Sequence, residues 1–462
     1  MSKLIQPPKG TRDFLPEDMI LRRKVMETIR ECFALYGFVE IDSPVFEYFE
    51  LLSRKCGSEI EKEIYIFEDK AKRKLGLRFE FTSPLGRYYA TNAEKLTKPF
   101  KRYIIGKVYR YENTQAGRYR EFYQADADII GSYSMNVENE LLDLAFFTLE
   151  KLGMENYEIV LNSRKILDGI INAAGIDESK KDAALRALDK AAKIGEGGVI
   201  KEFKENCIGE ENYRSFMRLI DFDISLDDEK KLSKLKERIN ESVKDETVKN
   251  KTNEGIEELL SIIKNFKIAE TVGGEAVDTE VVDTCLKAGD TVKFDPFLVR
   301  GLGYYTGPIF EIKSKDVAIG SFAAGGRYDN LVELYGARPE GACGISFGVE
   351  RIIDIIAKKN KDILKAIALP VRLYMAYLSE NERTFALQTA KFLRLNGINT
   401  ELSVSKEPNI GKEIKYADKK GIEYFAVIGE KEFSERKLSL KNLKTRMEML
   451  VTAEEAIKYL KQ

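Results

Sequence analysis

The fold is constrained most strongly by two long segments in which polar and apolar residues alternate. Residues 102–112 and 120–131 are rich in Tyr, Phe, Ile and Val, and the connecting sequence NTQAGRY holds a glycine and polar turn residues. This arrangement predicts a long antiparallel hairpin. Since alternate side chains of a strand point to opposite faces, the second segment has one apolar face and one charged face. The charged face carries Phe122, Gln124, Asp126 and Asp128.

Two explanations of this charged face remain open. Antiparallel sheets commonly expose one face to water, and that alone would account for the pattern. The residue types instead favour a binding site, because an arginine, acids, a glutamine and an aromatic ring converge on it. Arg110 could bind a phosphate and Phe122 could stack on a base. Glu80, which shares one face of a predicted strand at 77–82 with Thr82, could bind a cationic amine.

Three further segments carry candidate site residues. Arg300 lies within an apolar strand-like stretch, FLVRGLGYYTG, where a charged residue needs a partner or a ligand. In SFAAGGRYDNL, Gly325 and Gly326 would allow the backbone to approach a ligand closely. In GISFGVERII, Arg351 comes at the start of a predicted helix behind Gly348, where a bound phosphate or a partner acid would explain it.

The remaining pattern predicts the order of elements. Helices are expected at 17–35 and 137–153, and strands at 63–69, 157–162, 291–301, 305–314 and 318–324. Residues 165–270 are Lys/Glu-rich and helix-like. A solvated helical insertion is the simpler interpretation, and contact with a nucleic acid remains open. The tail alternates strands at 371–378, 398–404 and 424–429 with helices at 381–396 and 409–420, which indicates a small α/β domain.

Composition narrows the functional classes. The sequence has no uninterrupted apolar run of about 18 residues and no signal-peptide apolar segment at its start, so we expect a cytoplasmic protein with no membrane partner. The five cysteines are scattered without a CxxC pair and histidine is absent, so no zinc or other metal ligand set is expected. A net charge of −1 neither indicates nor excludes a nucleic acid, which a local basic patch can bind.

Together and in this order, the segments resemble the class II histidyl-tRNA synthetases, nearer the archaeal and eukaryotic type. YGFVEIDSPVFE resembles motif 1, which builds the dimer interface in this class. VYRYENTQAGRYREFYQADADIIG resembles motif 2, and GISFGVERII resembles motif 3. LVRGLGYYTG and AAGGRYDNL resemble the two histidine-specific motifs. The resemblance covers nearly the whole chain and is least specific in the helical insertion.

The resemblance implies a role for each candidate residue. Arg110 and Arg351 would bind ATP phosphates, with Glu112 and Phe122 placing the adenine. Arg300 would contact the α-phosphate and the substrate carboxylate, and with Arg110 and Arg351 would form the catalytic set. L-histidine would be bound by Glu80, Thr82, Gln124, Asp128, Arg300, Tyr304 and Tyr305, of which Asp128 and Tyr305 would read the imidazole nitrogens. Gln115 and Arg118 would face the acceptor end of tRNA(His), and Mg²⁺ would accompany ATP.

The implied architecture is an α+β fold, with an antiparallel sheet flanked by helices, a helical insertion and a C-terminal α/β anticodon-binding domain. The expected division is a first part of the catalytic core at 1–165, the insertion at 166–270, a second part of the core at 271–366 and the anticodon-binding domain at 370–462. The expected assembly is a homodimer. Gly303 stands where the family usually has an acid, and AAGG replaces the usual AGGG.

The sequence leaves three alternatives to this interpretation. The first is a non-catalytic paralogue that serves as a regulatory subunit of ATP phosphoribosyltransferase; Arg300 and the α/β tail argue against it, and Gly303 favours it. The second is a class II synthetase for another amino acid, and the third is an RNA-binding protein without chemistry. The absence of histidine also has two explanations. It is compositional drift, or it lets the enzyme be translated when histidine is scarce; either way no imidazole is available for proton transfer.

Overall fold

The computed structural model describes residues 5–54, 61–114, 117–223, 225–268, 292–299, 304–359, 371–405 and 408–461. The chain divides into two compact units. One comprises Met1–Asp13 and Arg22–Lys359, and the other comprises Phe14–Leu21 and Asn360–Gln462. Within the described part of the chain, no helix is both long and apolar enough to cross a membrane.

The helices of the larger unit precede, interrupt and follow its strands; the first of them begins at Pro16 in the smaller unit and belongs to the larger one from Arg22 onward. They are α1 (Pro16–Leu35), α2 (Phe49–Ser53), α3 (Thr82–Asn92), α4 (Asn136–Lys151), α5 (Arg164–Ala173), α6 (Lys181–Asp189), α7 (Ala191–Glu205, interrupted at Gly195), α8 (Glu210–Leu219), α9 (Asp228–Ser242), α10 (Glu246–Ile268) and α11 (Val349–Lys359). The run from α5 to α10 has the helical character that the Lys/Glu-rich sequence predicts.

An eight-stranded sheet forms the centre of the larger unit. In spatial order its strands are β1 (Val39–Glu40), β5 (Phe100–Tyr109), β6 (Glu121–Ile130), β11 (Ala342–Gly348), β10 (Ser321–Arg327), β9 (Pro308–Ser314), β7 (Tyr157–Ser163) and β8 (Val292–Phe294). Only the two outermost pairs, β1 with β5 and β7 with β8, are parallel. The predicted antiparallel sheet is therefore confirmed, including the long β5–β6 hairpin.

The apolar face of this sheet is its helix-covered side. Ala125, Ala127 and Ile129 of β6 are buried there, as the alternation predicts. The ring of Phe33 in α1 contacts the rings of Tyr103 in β5 and Phe347 in β11. Helices α4 and α11 pack on β11 and β6. The charged face of the hairpin is consequently left to form the walls of cavities.

The prediction of a strand at 77–82 is wrong. A small sheet, in the order β2 (Phe46–Tyr48), β4 (Lys74–Leu77) and β3 (Ile66–Glu68), ends at Leu77, and α3 begins at Thr82. The Glu80 carboxylate accepts hydrogen bonds from the backbone N–H groups of Thr82 (2.7 Å) and Ser83 (2.8 Å). Since the first N–H groups of a helix lack partners within it, this carboxylate stabilises the start of α3.

Other predicted strands are shorter than their sequences suggest. Of the strand expected at 291–301, only Val292–Phe294 pairs with β7 among the described residues, because the chain turns at Asp295, whose carbonyl accepts from the N–H of Leu298. The side-chain amide of Asn162 donates to the carbonyls of Pro296 and Leu298 and fixes this turn. Strand β9 also begins three residues later than predicted, whereas β10 keeps the predicted length but lies three residues further along the chain.

The smaller unit has the predicted α/β alternation and extends beyond it. Its strands, in spatial order, are β13 (Thr400–Leu402), β12 (Leu373–Tyr377), β14 (Tyr424–Ile428), β15 (Leu438–Asn442) and β16 (Glu448–Val451). Its helices are α12 (Glu380–Leu395), α13 (Ile410–Lys419), α14 (Glu430–Glu435) and α15 (Ala453–Leu460). The first three strands are parallel and the last two antiparallel, with buried clusters on both faces. The helices and strands that follow β14 in the chain were not predicted.

The strand ends of the larger unit are tied together by a buried ion pair. Arg327, at the end of β10, contacts Glu138 of α4 through Nε (2.5 Å) and Nη2 (2.7 Å), and both side chains are almost completely buried. Arg327 also donates to the carbonyls of Ser132 and Ser134 and to Asp329. This arginine of the AGGRYD segment therefore has a structural role.

Removing one member of this pair should destabilise the larger unit strongly. We expect Arg327→Met to leave the Glu138 carboxylate buried without its partner, at a cost of about 3–5 kcal/mol, and to lower the melting temperature. Adding Glu138→Leu to the same chain should restore part of the loss. Arg214→Met, which breaks an exposed i,i+4 pair with Glu210, should change the melting temperature little. Equal melting temperatures for the two single variants would contradict the assignment.

Candidate active site

Small residues in β10 and β11 leave space above the charged face of β6. Gly344, Ser346 and Gly348 of β11 lie opposite Asp128, Asp126 and Gln124 of β6. Ala324 of β10 lies opposite Ser346. Cross-strand neighbours share a face, so the long side chains of β6 stand beside short ones. Two cavities of about 320 Å³ and 310 Å³ open on this part of the sheet.

The first, the arginine-rich cavity, is lined by Arg110, Arg118 and Arg351. The pKa of Arg351 is lowered by burial and by the positive charges of Arg118 and Arg110, while the negative charges of Glu112 and Glu311, which also line the cavity, raise it. Like charges held this close are unfavourable unless an anion compensates them. The cavity is therefore suited to a ligand with several negative charges.

Arg351 is held from two sides by backbone carbonyls. Its Nε donates to Gly117, in the connection between β5 and β6, at 3.2 Å, and its Nη1 donates to Ser321 of β10. The sequence offered a phosphate or a partner acid as the reason for an arginine at this helix start. The described contacts orient the guanidinium along the cavity wall and add no acid to it.

Glu112 lies between two of the arginines, and the Phe122 ring lies next to Arg110. The Glu112 carboxylate is 3.8 Å from Arg110 Nη1 and 3.3 Å from Arg118 Nη1. The Arg110 guanidinium lies 5.2 Å from the centre of the Phe122 ring, and its Nε donates to the carbonyl of Phe79. All of these groups line the same cavity, so an aromatic surface adjoins the anion-binding arginines.

Glu350 organises this cavity, and no sequence pattern predicts its role. Its buried carboxylate accepts from Arg22 of α1, from Arg12 near the chain start and from the backbone N–H of Tyr123. Arg12 also lies over the Tyr119 ring, 3.6 Å from its centre. These contacts join α1, β6 and the N-terminal segment to the helix that carries Arg351. The partners are separated by up to 338 residues, so no local pattern indicates the pairing.

The second, the acidic cavity, is lined by Glu80, Asp126 and Asp128. Thr82 and Gln124 also lie on its wall. The Gln124 side chain donates through Nε2 to the Ser346 hydroxyl at 2.8 Å. Its Oε1 is buried without a hydrogen-bond partner among the described residues, so an acceptor faces the cavity. Glu63 brings the number of acids on the wall to four, and four acids and an amide oxygen suit a cationic ligand.

Asp126 is an acid of this cavity whose charge depends on its surroundings. Burial, and then the negative charge of Asp128, raise the pKa of Asp126 to about 7. In a chain without histidine, this carboxyl therefore titrates near neutral pH. Asp126 stood on the predicted charged face but was not among the predicted binding residues.

Asp128 is held in place within the same cavity. Its carboxylate accepts a hydrogen bond from the Tyr328 hydroxyl, whose pKa is raised well above its ordinary value by burial and by the Asp128 charge. A side chain at Gly344 would collide with this carboxylate, so a glycine is required there. The rings of Tyr304 and Tyr305 lie 4.7 Å apart and line the cavity beside Tyr328.

The two cavities adjoin each other. Arg110, Gln124, Ala324 and Ser346 line both. An anionic group and a cationic group of one molecule can thus bind on the two sides of Arg110. The arrangement is suited to joining a phosphate-bearing ligand to a smaller molecule with a cationic amine.

Three residues that the sequence singled out, Arg300, Gln115 and Gly303, lie outside the described residues. Gly325 was expected to allow close approach to a ligand. A side chain there would collide with the carbonyl of Gly344 and the ring of Phe310, so packing between strands already requires this glycine.

The sequence matches two known protein families along its length. The family described as "Histidyl-tRNA synthetase" matches residues 10–352, and "Anticodon binding domain" matches residues 373–462. Among similar proteins, a histidine–tRNA ligase from Clostridium tetani is 35% identical over 98% of this chain and 97% of its own length. One from Pyrococcus furiosus is 30% identical over 99% of each chain.

Solved structures agree with these matches. A histidyl-tRNA synthetase from a Nostoc species superposes with a TM-score of 0.77 at 27% identity, covering 100% of this chain and 99% of its own. A structure from Bacillus halodurans, described as an ATP phosphoribosyltransferase regulatory subunit/histidyl-tRNA synthetase, has a TM-score of 0.69 at 20% identity and covers 93% of this chain and 99% of its own. That second likeness establishes the fold alone. By its sequence, its two-part family match and its sheet, the chain belongs to the histidyl-tRNA synthetase family.

Proposed function

We propose that this chain is a histidine–tRNA ligase that activates L-histidine with ATP and then transfers histidine to the 3′ end of tRNA(His). The observation that carries the proposal is the junction of the arginine-rich and acidic cavities at Arg110. ATP and an amino acid need opposite electrostatic surroundings and must meet at one point. A shared arginine between the two surroundings provides that point.

ATP is proposed to occupy the arginine-rich cavity. Arg110 and Arg351 bind its phosphates, and the adenine lies on Phe122 near Glu112. Arg300 is proposed, from the family resemblance, to contact the α-phosphate. Because the three arginines compensate negative charge already present in ATP and increased during transfer, they act as electrostatic catalysts.

The acids of this cavity fit a magnesium ion bound with ATP. Mg²⁺ in nucleotide sites takes one or two carboxylates together with phosphate oxygens. Glu311 lines the cavity, so its carboxylate would hold the ion together with phosphate oxygens. When bound, the ion neutralises phosphate charge.

L-histidine is proposed to occupy the acidic cavity. Glu80, Thr82 and Gln124 bind its ammonium group, and Tyr304 lies beside it. Asp128 and Tyr305 read the two imidazole nitrogens. Since these polar groups would lose hydrogen bonds with an amino acid that lacks an imidazole, discrimination against such amino acids should be strong.

The first chemical step needs no general base. The histidine carboxylate is already ionised; its oxygen attacks the α-phosphorus of ATP, and the bond to the leaving pyrophosphate breaks. In the second step, a ribose hydroxyl of the tRNA attacks the acyl carbon and AMP leaves, with a phosphate oxygen of the adenylate taking the proton. Neither step requires an imidazole from the protein.

The tRNA is proposed to meet both units. Arg118, half-exposed at the rim of the arginine-rich cavity, faces the acceptor end together with Gln115. The smaller unit is proposed to bind the anticodon, which its match to an anticodon-binding domain supports. We also propose the division at 1–165, 166–270, 271–366 and 370–462, and a cytoplasmic location.

The chain is further proposed to form a homodimer through the small sheet that follows the motif 1 segment. Phe46, Tyr48, Ile66 and Phe67 are large apolar side chains that stand exposed on β2 and β3. The rings of Phe46 and Phe67 contact each other, 6.1 Å between centres. An apolar patch of this kind commonly marks an interface between proteins.

The activation step should be visible as exchange of labelled pyrophosphate into ATP. We expect exchange with histidine and with no other amino acid. Arg351→Ala should lower the rate by about a hundredfold or more, because it removes a charge that stabilises the transition state. Arg338→Ala, a control at an exposed arginine that lines neither cavity, should exchange as the unchanged chain does.

Absence of exchange with every amino acid, from a folded chain, would overturn the proposal in favour of the regulatory paralogue. Exchange with a different amino acid would indicate another class II specificity.

The proposed dimer should depend on the exposed aromatic residues of β2. We expect sedimentation equilibrium to give twice the chain mass for the unchanged protein. Phe46→Glu should shift it toward the single-chain mass, because burying an unpaired carboxylate in an apolar interface is unfavourable. Leu395→Glu, at an exposed leucine of α12, is the matched control and should keep the dimer. A Phe46→Glu variant that remains dimeric would exclude this face.

A further inference from the structure

A buried arginine lies behind the acidic cavity and contacts its central acid. Arg102 of β5 is directly opposite Asp128 of β6 in the strand register. Its Nη2 is 2.5 Å from Asp128 Oδ2, and the arginine side chain is only 1% exposed. Arg102 does not line either cavity. Any effect of Arg102 on a ligand of these cavities therefore passes through Asp128.

Stability alone is a poor explanation of this arginine. Removing two charges from water offsets most of the attraction between them, so a buried ion pair adds little over a well-packed apolar pair. Arg102 Nε is also buried without a hydrogen-bond partner among the described residues, which is a further cost. An arginine held at such cost is better explained by its effect on the carboxylate it contacts.

Arg102 and Tyr328 contact the two oxygens of the same carboxylate. The Tyr328 hydroxyl donates a hydrogen bond to Oδ1, whereas Arg102 Nη2 lies beside Oδ2 as an ion pair without hydrogen-bond geometry. Gly344 leaves the room that the carboxylate occupies. Each carboxylate oxygen can accept more than one hydrogen bond, so Asp128 keeps acceptor capacity toward the cavity. Its direction is nevertheless fixed by the two partners behind it.

The surroundings of Asp128 would otherwise favour its neutral form. It is buried, and other acidic groups lie near it. The titratable and charged groups that face this cluster from the neighbouring elements are Arg102, Arg110, Asp126, Tyr328, Cys343, Glu63 and Glu80. Among the described residues, Arg102 is the cation in direct contact with the Asp128 carboxylate. Its positive charge lowers the pKa of Asp126, and burial and Asp128 raise it.

We propose that Arg102 is a positioning residue that keeps Asp128 ionised and aimed into the acidic cavity, so that Asp128 accepts the imidazole N–H of histidine. The inference rests on the proposed function, since it takes histidine as the ligand of this cavity. A neutral Asp128 would present a hydroxyl in place of one acceptor. An ionised one accepts a charge-assisted hydrogen bond, which is stronger.

The test is histidine affinity as a function of pH, measured by calorimetry without ATP. Arg102→Met and Arg102→Gln both remove the charge, and the glutamine keeps a polar group beside Asp128. We expect both to weaken histidine binding by about tenfold or more near pH 6.5, and by progressively less as the pH is raised toward 9. The sign follows because loss of the cation raises the pKa of the acids, which then need a higher pH to ionise.

Three comparisons separate this role from a structural one. Arg102→Lys keeps the charge and should keep the unchanged pH profile more closely than either neutral variant. Lys101→Gln changes the adjacent residue, which pairs with Glu140 on the other face of the strand, and should bind histidine normally. The affinity for ATP should stay within about threefold in every variant, because Arg102 lies away from the arginine-rich cavity. The histidine affinity of each variant is divided by that of the unchanged protein at the same pH, so the titration of histidine itself cancels.

The outcomes are distinct for the two proposals. If Arg102→Met fails to fold, the role of Arg102 is tested with Arg102→Gln. A folded neutral variant that binds histidine like the unchanged protein between pH 6.5 and 9, or that is weakened equally at every pH, would overturn the role of Arg102. Histidine binding without pyrophosphate exchange would sink the proposed activity and leave the Arg102 test intact. No histidine binding by the unchanged protein would overturn both.

Discussion

The site depends on a mismatch in side-chain size across the central sheet. On the charged face, β6 contributes Gln124, Asp126 and Asp128, while the adjoining β11 contributes Gly344, Ser346 and Gly348. Strand pairing fixes this register, and a shift by one residue would turn all of these side chains to the helix-covered face. Space for ligands and the groups that bind them therefore arise from the same backbone pairing.

Charge is separated along that face. Three arginines gather at one end, interspersed with Glu112, Glu311 and Glu350, and four acids gather at the other, with Arg110 at the junction. Neither the set of arginines nor the set of acids is stable by itself, because like charges repel each other in a partly buried site. Partners that line neither cavity hold the arrangement: the buried Arg22 and the partly exposed Arg12 contact Glu350 on the wall of one cavity, and the buried Arg102 contacts Asp128 on the wall of the other.

Sequence reasoning predicted the parts of this site that depend on local periodicity. The alternation along 120–131 placed Gln124 and Asp128 on one face, and the structure has them there. The same reasoning put Glu80 on a strand, because it could not show that its carboxylate caps α3. Glu350 and Arg102 went unrecognised since their partners are set by tertiary packing. Domain boundaries and the roles of individual site residues remain proposals.

The central claim is that one ligand spans both cavities through the shared Arg110. Calorimetry with a non-hydrolysable histidyl-adenylate analogue tests it most directly. Because each half would bind its own cavity and the link removes the entropic cost of binding the second half separately, the analogue should bind about a hundredfold or more tighter than histidine or ATP alone. An alanyl-adenylate analogue should lose most of this gain. A histidyl analogue that binds no more tightly than the better of its two halves would contradict the account.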